Sequence, residues 1–326
     1  MKTEINKFIK YSVGCCLFMF STLYIIEGSI SYLVTKSNNS QTGKVNLVMS
    51  HVIDPNVLII GSSVSEVGFN IDILEKKLRT NAYNLAIDGT PILKSKFLID
   101  EFLTYSKNCD TIIIGLAFFS LCELGEIHSP ERFLAHKSNK FVKRNIKKLY
   151  PKIHTKISYI PFYSFVLANH TYYKNAILGL KNILSCNDMI KSDPLKGFVP
   201  HDATYLNTHD QNNSLRKLNF SEESITQFKE ILVKIRNHNI TPILIITPMH
   251  KNGQNAFENY SDYPNLVNRI AKETNTQIVD FSNSEITRHE DYFYNNGHLN
   301  VTGAVKFSTS ISDSLLQQKA RTHNTW

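Results

Sequence analysis

Residues 57–66 read Val57-Leu-Ile-Ile-Gly-Ser-Ser-Val-Ser-Glu66. Four apolar residues between Pro55 and Gly61 predict a short strand buried on both faces, the pattern of a parallel sheet. The strand runs into a Gly61-Ser62-Ser63 turn. In an open α/β sheet, ligands bind beyond the carboxyl ends of the strands. A serine hydroxyl there is placed for nucleophilic chemistry, although Gly-Ser-Ser is also ordinary turn chemistry. What gives the turn weight lies far downstream, in Asn295-Asn-Gly-His298-Leu-Asn300, just before the last predicted helix.

Around this strand the chain alternates. Asn70, with Asp72 in the first turn, caps a predicted helix (IDILEKKL). Ala82-Tyr-Asn-Leu85 is a second strand, followed by Asp88-Gly89-Thr-Pro91, and 92–107 reads as a helix. Thr111-Ile-Ile-Ile-Gly-Leu116 is a third strand. After an interruption, 221–238 forms an amphipathic helix capped by Ser221. Ile243-Leu-Ile-Ile-Thr247 is a fourth strand that ends at Pro248-Met-His250. A helix over about 262–274, a fifth strand at Gln277-Ile-Val-Asp280 and a helix over about 301–318, capped by Asn300, complete the pattern. Strands alternating with helices predict an α/β fold with a five-stranded parallel sheet and right-handed crossovers. The expected architecture is a flavodoxin-like three-layer sandwich.

The interruption spans about 123–215. It holds basic, aromatic and polar segments and reads as a helical insertion or lid. Within it, Lys137 to Lys156 contains Lys140, Lys143, Arg144, Lys147, Lys148 and Lys152 and no acid. Such a run is usually a solvated helical face; the functional alternative is contact with anionic lipid headgroups or an anionic glycan. Lys196-Gly-Phe-Val-Pro-His-Asp202 reads as a return loop able to line a cleft, with His201 as a solvent-exposed loop histidine.

At the N-terminus, Lys2, Lys7 and Lys10 precede a charge-free run from Tyr11 to Ile26, and apolar character resumes after Glu27-Gly28 up to Val34. Counted from Phe8 to Val34, with Lys10 snorkelling and Glu27 near the far interface, the segment reaches the roughly 20 residues a membrane span needs. A signal peptide would have a shorter apolar region and a cleavage site of Ala-x-Ala type, and none follows. The expectation is therefore an uncleaved single-pass anchor over 1–36. The basic end stays cytoplasmic and the remainder lies outside the cell membrane. Residues 37–50 are polar and read as a linker, and 51–326 as the α/β domain with its insertion.

Composition bounds the partners. The 326 residues carry 36 Lys and Arg against 28 Asp and Glu, a net charge of +8, which favours anionic surroundings. No nucleic-acid-binding motif of fixed spacing is present, so nucleic acid is not an expected partner. No Rossmann or P-loop glycine pattern appears, so no nucleotide cofactor is expected. Cys15, Cys16, Cys109, Cys122 and Cys186 show no CxxC spacing and demand no disulfide.

The order of the motifs resembles the SGNH (GDSL-like) hydrolase superfamily, especially its membrane-anchored bacterial envelope branch of O-acetyltransferases and D-alanyl transfer proteins. Gly61-Ser62-Ser63 matches the first motif, with Ser63 at the nucleophile position. Asn84-Leu-Ala-Ile-Asp-Gly89 looks like the second, whose glycine lends a backbone N–H to the oxyanion hole beside that of Ser63. Asn295-x-x-His298-Leu-Asn300, followed by Gly303, looks like the last, which supplies the catalytic histidine. Two positions depart from the pattern. The segment Gly115-Leu-Ala-Phe-Phe-Ser120 lacks the asparagine that usually completes the oxyanion hole. Asn295 stands where the family has an aspartate three residues before the histidine.

The resemblance implies acyl transfer or ester hydrolysis on a cell-envelope or exported polysaccharide. Ser63 would attack, His298 act as base, and Asn295 orient the ring without supplying charge; Asp291 or a backbone carbonyl could substitute for the missing carboxylate. A carbohydrate polymer is the implied substrate and a membrane acyl-donor protein the implied partner. A different class of reading is a catalytically silent glycan-binding or assembly protein on the same fold, since both departures fall in the catalytic machinery. A metal site drawn from His250, His289 and His298 has no HxxxH or HExxH spacing behind it, and none is expected.

Overall fold

The computed structural model describes residues 2–123, 129–186, 193–202 and 215–323. The chain divides into two compact units. One comprises Met1–Asn46 and His128–Ser192, the other Leu47–Ile127 and Asp193–Trp326. In chain order the helices are α1 (Lys2–Thr35), α2 (Ser40–Met49), α3 (Ser63–Gly68), α4 (Ile71–Leu78), α5 (Lys96–Tyr105), α6 (Glu131–Leu134), α7 (Lys140–Leu149), α8 (His154–Tyr159), α9 (His170–Leu184), α10 (Glu222–Asn237), α11 (Lys251–Gln254), α12 (Asp262–Glu273) and α13 (Val301–His323). The strands are β1 (Val57–Ile60), β2 (Ala82–Asn84), β3 (Thr111–Leu116), β4 (Thr241–Ile246), β5 (Gln277–Asp280), β6 (Phe293–Asn295) and β7 (His298–Leu299).

The second unit is built on a five-stranded sheet in the order β2-β1-β3-β4-β5, with every pairing parallel. This is the flavodoxin-like order, in which the strand order, not the strand direction, reverses between β1 and β3. Alternate residues separate the two faces. Val57, Ile59, Ile113, Ile243 and Ile245 point into one core with Leu74 of α4 and Phe307 and Ile311 of α13. Right-handed crossovers put α5, α10 and α12 on the opposite face, where α10 and α12 pack against β4. The predicted caps form: Asn70 accepts from the Ile73 N–H at 3.2 Å, Ser221 from Ser224 at 3.3 Å and Asn300 from Gly303 at 2.9 Å.

At the end of β1 the backbone passes very close to its neighbours. A Cβ on Gly61 would lie 2.2 Å from Ser65 Oγ and 2.7 Å from the Gly115 carbonyl oxygen. The glycine is thus required by close approach. It lets α3 settle against β3, where Ser65 Oγ donates to the Gly115 carbonyl at 3.2 Å. The far end of α3 is held by Asn84, which is fully buried. Its amide donates to the carbonyls of Ser65, Glu66 and Phe69 at 2.9–3.3 Å, and its oxygen accepts from the Ala86 N–H at 3.0 Å. Asn84→Leu keeps the branched outline of the side chain but strands several buried polar groups. It is expected to lower unfolding free energy by about 2–3 kcal/mol, measured by urea denaturation.

Residues 40–49, which begin in the first unit and end in the second, form helix α2, not the linker that their polarity suggests. Val45 and Val48 are buried, as are the polar Thr42 and Asn46. The Asn46 amide donates to the Val34 and Ser37 carbonyls at 2.8 and 2.9 Å and so satisfies the end of α1, while Thr42 Oγ1 accepts from the Asn175 amide at 3.0 Å. The described part of the insertion is helical as expected (α6 to α9). Its helices belong to the same compact unit as α1, while 124–128, 187–192 and 203–214 lie outside the described residues. α1 is long and apolar enough to cross a membrane, with a mean hydropathy of 1.7 over its best window. None of the five cysteines forms a disulfide.

Candidate active site

Two serines follow Gly61, and the fold separates them. Ser62 is buried, and its hydroxyl has no hydrogen-bond partner among the described residues. Ser63 opens α3 and is half-buried; its Oγ lies 2.8 Å from His298 Nε2. Its backbone N–H, in the first turn, has no intrahelical acceptor. Residues 85–87 run beside the end of β1, with the Leu85 N–H donating to Ile59 at 2.8 Å and the Ile87 N–H to Gly61 at 3.2 Å. These bonds carry the Asp88-Gly89 turn to the level of Ser63. Gly89 adopts φ +64°, a left-handed conformation that favours glycine.

His298 arrives on a two-stranded antiparallel ribbon, β6 and β7, in which Asn295 pairs with His298. Phe293 and Leu299 fix the ribbon in the core. The His250 N–H donates to the Asn296 carbonyl at 3.0 Å and pins the turn between the strands. His250 itself is buried, its Nδ1 accepts from the Asn252 N–H at 3.3 Å, and its ring packs edge-on against Phe293. It therefore braces the ribbon. Asp291 is exposed and reaches the ribbon through its backbone carbonyl, which accepts from Asn300 Nδ2 at 2.7 Å.

Asn295 decides the tautomer. Its Oδ1 accepts from the backbone N–H groups of Gly297 at 2.9 Å and His298 at 3.0 Å, and lies 3.0 Å from His298 Nδ1. Two backbone donors on one atom require that atom to be the oxygen. The imidazole Nδ1 must then carry a proton and donate, which leaves the Nε2 lone pair facing Ser63 Oγ. The three residues Ser63, His298 and Asn295 are thus brought together as a hydrogen-bonded series.

The return loop contributes a residue that sequence spacing does not reveal. Three backbone hydrogen bonds stitch residues 196–201 along the site: Asn84 N–H to Lys196 at 2.9 Å, Val199 N–H to Glu66 at 3.2 Å and Val301 N–H to His201 at 2.8 Å. His201 is half-buried and stacks on Tyr294, with centroids 4.5 Å apart and planes 9° apart. It is not the solvent-exposed loop histidine expected from sequence. The only advance signal was its place in a loop suited to line a cleft.

Burial pushes the His298 pKa down, and the neighbouring His201 ring pushes it further; the carboxylates of Asp88 and Glu66 act in the opposite direction. The balance favours neutral imidazole, the form that can accept a proton. A reaction needing that base should therefore persist until pH falls through a value below the ordinary histidine pKa of about 6.5. His201→Gln removes a depressing neighbour, so the acid limb of kcat/KM is expected to move to higher pH. A pH–rate profile of both forms checks this; an unmoved limb would remove His201 from the electrostatics of the site.

The third segment, after β3, offers no side-chain amide. Ser120 turns back so that its Oγ accepts from the Ala117 N–H at 2.9 Å. Among the described residues no group of three or more His, Cys, Asp or Glu is placed to hold a metal ion.

No protein-family profile matches the chain, and no curated protein sequence matches it. Solved structures with some likeness include a protein named for platelet activating factor from Streptococcus pneumonia (13% identity, TM-score 0.45, covering 87% of this chain and 94% of that one). Others are the psychrotrophic esterase EstA from Pseudoalteromonas sp. (13%, 0.40, covering 81% and 99%) and an acetyl xylan esterase (12%, 0.37, covering 80% and 98%). Likeness at this level shows neither a shared family nor a shared activity.

Proposed function

We propose that this protein is a serine-dependent acyl-transfer enzyme that forms an acyl intermediate on Ser63. The observation that carries this reading is the Asn295–His298–Ser63 series, with bonds of 3.0 and 2.8 Å. A serine hydroxyl is a weak nucleophile until a base lies within hydrogen-bond reach and is itself oriented by a third group. Here all three parts stand in sequence.

The steps follow from that geometry. Ser63 Oγ attacks an ester carbonyl while His298 Nε2 takes its proton. The backbone N–H groups of Ser63 and Gly89 serve the developing oxyanion. The imidazolium returns the proton to the departing alkoxide. A water molecule or a carbohydrate hydroxyl then gives up its proton to His298 and attacks the acyl-Ser63 ester, which restores the serine. The two acceptors distinguish ester hydrolysis from acyl transfer.

The substrate we infer is an acylated cell-envelope or exported polysaccharide, reached outside the cytoplasmic membrane by a protein anchored through α1. An apolar helix near the N-terminus and a basic N-terminal end support that orientation. A membrane protein that delivers the acyl group is the partner implied by transfer chemistry. The test is to label the full chain with a serine-reactive fluorophosphonate and locate the adduct by mass spectrometry. Modification of Ser63, prevented in His298→Gln, is the expected result. Absence of labelling in the intact protein would favour a glycan-binding protein without catalysis.

A further inference from the structure

The positive charge of this chain is concentrated in one region. Residues 129–186 contain eleven Lys and Arg and a single acid, Glu131, whereas the rest of the chain, with 25 basic and 27 acidic residues, is close to neutral. Glu131 is buried, and its Oε1 accepts from the Asn169 amide at 3.0 Å. Helix α7 packs Phe141, Val142 and Ile146 inward and exposes Lys140, Lys143, Arg144, Lys147 and Lys148. The alternating signs of a helix laced with surface ion pairs are missing from this face, which carries a single sign.

A second observation fixes where that face lies along α1. The Tyr24 hydroxyl donates to the Tyr159 carbonyl. One turn further, the buried Glu27 carboxylate receives Lys137 Nζ at 2.5 Å and Ser164 Oγ at 2.7 Å. Tyr24 lies inside the charge-free run that ends at Ile26. Tyr159 and Ile160 are therefore held near the end of the charge-free run of α1, where Glu27 brings in the first charge, yet they are 63% and 45% exposed. Lys143 Nζ sits 5.2 Å from the centre of the Tyr159 ring. An exposed tyrosine beside an aliphatic residue, with a lysine over its ring and the α7 cations on the neighbouring helix, is the composition of a membrane interface.

We propose that the α7–α8 face is a seat for anionic phospholipid headgroups: Tyr159 and Ile160 enter the interfacial layer beside α1, and the α7 cations contact lipid phosphates. The proposal rests on α1 crossing the membrane and is independent of the chemistry at Ser63. A soluble anionic glycan would match the charge but would give no reason to hold exposed Tyr159 and Ile160 against the end of an apolar helix.

The experiment places an indole at the seat. The full chain carrying Trp326→Phe, which removes its one tryptophan, and Tyr159→Trp is reconstituted in nanodiscs. The discs contain phosphatidylcholine alone or mixed with phosphatidylglycerol, with brominated acyl chains as quencher. Ile160→Trp in the same background is a second reporter in case the first disturbs the fold. Bromolipid should quench the indole, at least about twofold more in the anionic discs, since each basic residue near an anionic surface contributes roughly fivefold in affinity. High salt, or Lys143, Lys147 and Lys148 together changed to Gln, should abolish the difference. A water-exposed emission that bromolipid does not touch would overturn the seat. Equal quenching in both lipids would overturn headgroup recognition. Displacement by a soluble anionic polysaccharide at constant lipid would assign the face to a glycan instead. Release of the chain from membranes by alkaline carbonate would remove the anchor and, with it, the seat.

Discussion

Ser63→Ala and His298→Gln are each expected to reduce kcat/KM on an activated acetyl ester by about 10³-fold or more, and the double variant to lose no more than either alone. Serine and histidine act as one unit, so removing either removes nucleophilic activation altogether. Effects of such pairs are grossly non-additive. The bond between them is already 2.8 Å in the free protein, so no rearrangement is needed to form the pair. Residual turnover in the single variants would come from the oxyanion donors and substrate binding alone. Stability should hardly change in Ser63→Ala, because Ser63 is half-buried and, among the described residues, its hydroxyl bonds only to His298. Steady-state kinetics beside thermal denaturation separates the two. Additive losses in the double variant would show that the residues do not act together and would count against the proposed mechanism.

Asn295→Ala should be nearly as damaging, whereas Asn295→Asp should raise activity only modestly. In a serine-protease triad, replacing the aspartate by asparagine costs about 10⁴ in rate because the amide stabilises the wrong histidine tautomer. That penalty does not apply here. The backbone N–H groups of Gly297 and His298 hold the Asn295 oxygen toward Nδ1, and the amide cannot turn its NH₂ to the ring without losing both. What Asn295 lacks is charge alone. Aspartate would supply it, stabilise the imidazolium and raise the His298 pKa, which burial and His201 now hold down. The gain in charge stabilisation is offset near neutral pH by a larger fraction of protonated base. The acid limb of the pH–rate profile should shift upward in Asn295→Asp. In Asn295→Ala, the loss should appear in kcat at every pH. A 10³-fold or greater gain from aspartate would show that the ring is misoriented in the native protein.

The central sheet was legible because buried parallel strands are short apolar runs bounded by Pro, Gly and Asn, and β1, β3 and β4 are such runs. The caps at Asn70, Ser221 and Asn300 were legible for a local reason: one side chain serves an N–H within three residues. Ser63, His298 and Asn295 could be named from motif order, but their hydrogen bonds depend on how a ribbon packs on α3. The ribbon itself was not legible, since β6 and β7 are only three and two residues long. His201 was missed because backbone hydrogen bonds bring it to the site, and those leave no trace in residue type. Helix α2 was misread because Thr42 and Asn46 are polar in composition but buried as hydrogen-bonding partners of neighbouring backbone and side chains.

Ser63 and His298, the two side chains of the proposed mechanism, are 235 positions apart in the chain. At about 5–20 residues per second, translation places Ser63 outside the ribosome roughly 10–50 s before His298 exists. Throughout that interval the serine has no base and is chemically inert toward esters. A polypeptide interrupted anywhere before residue 298 would carry its nucleophile without the means to use it. On the proposed mechanism, synthesis order acts as a safeguard: the nascent protein gains its base only after most of the chain has been made.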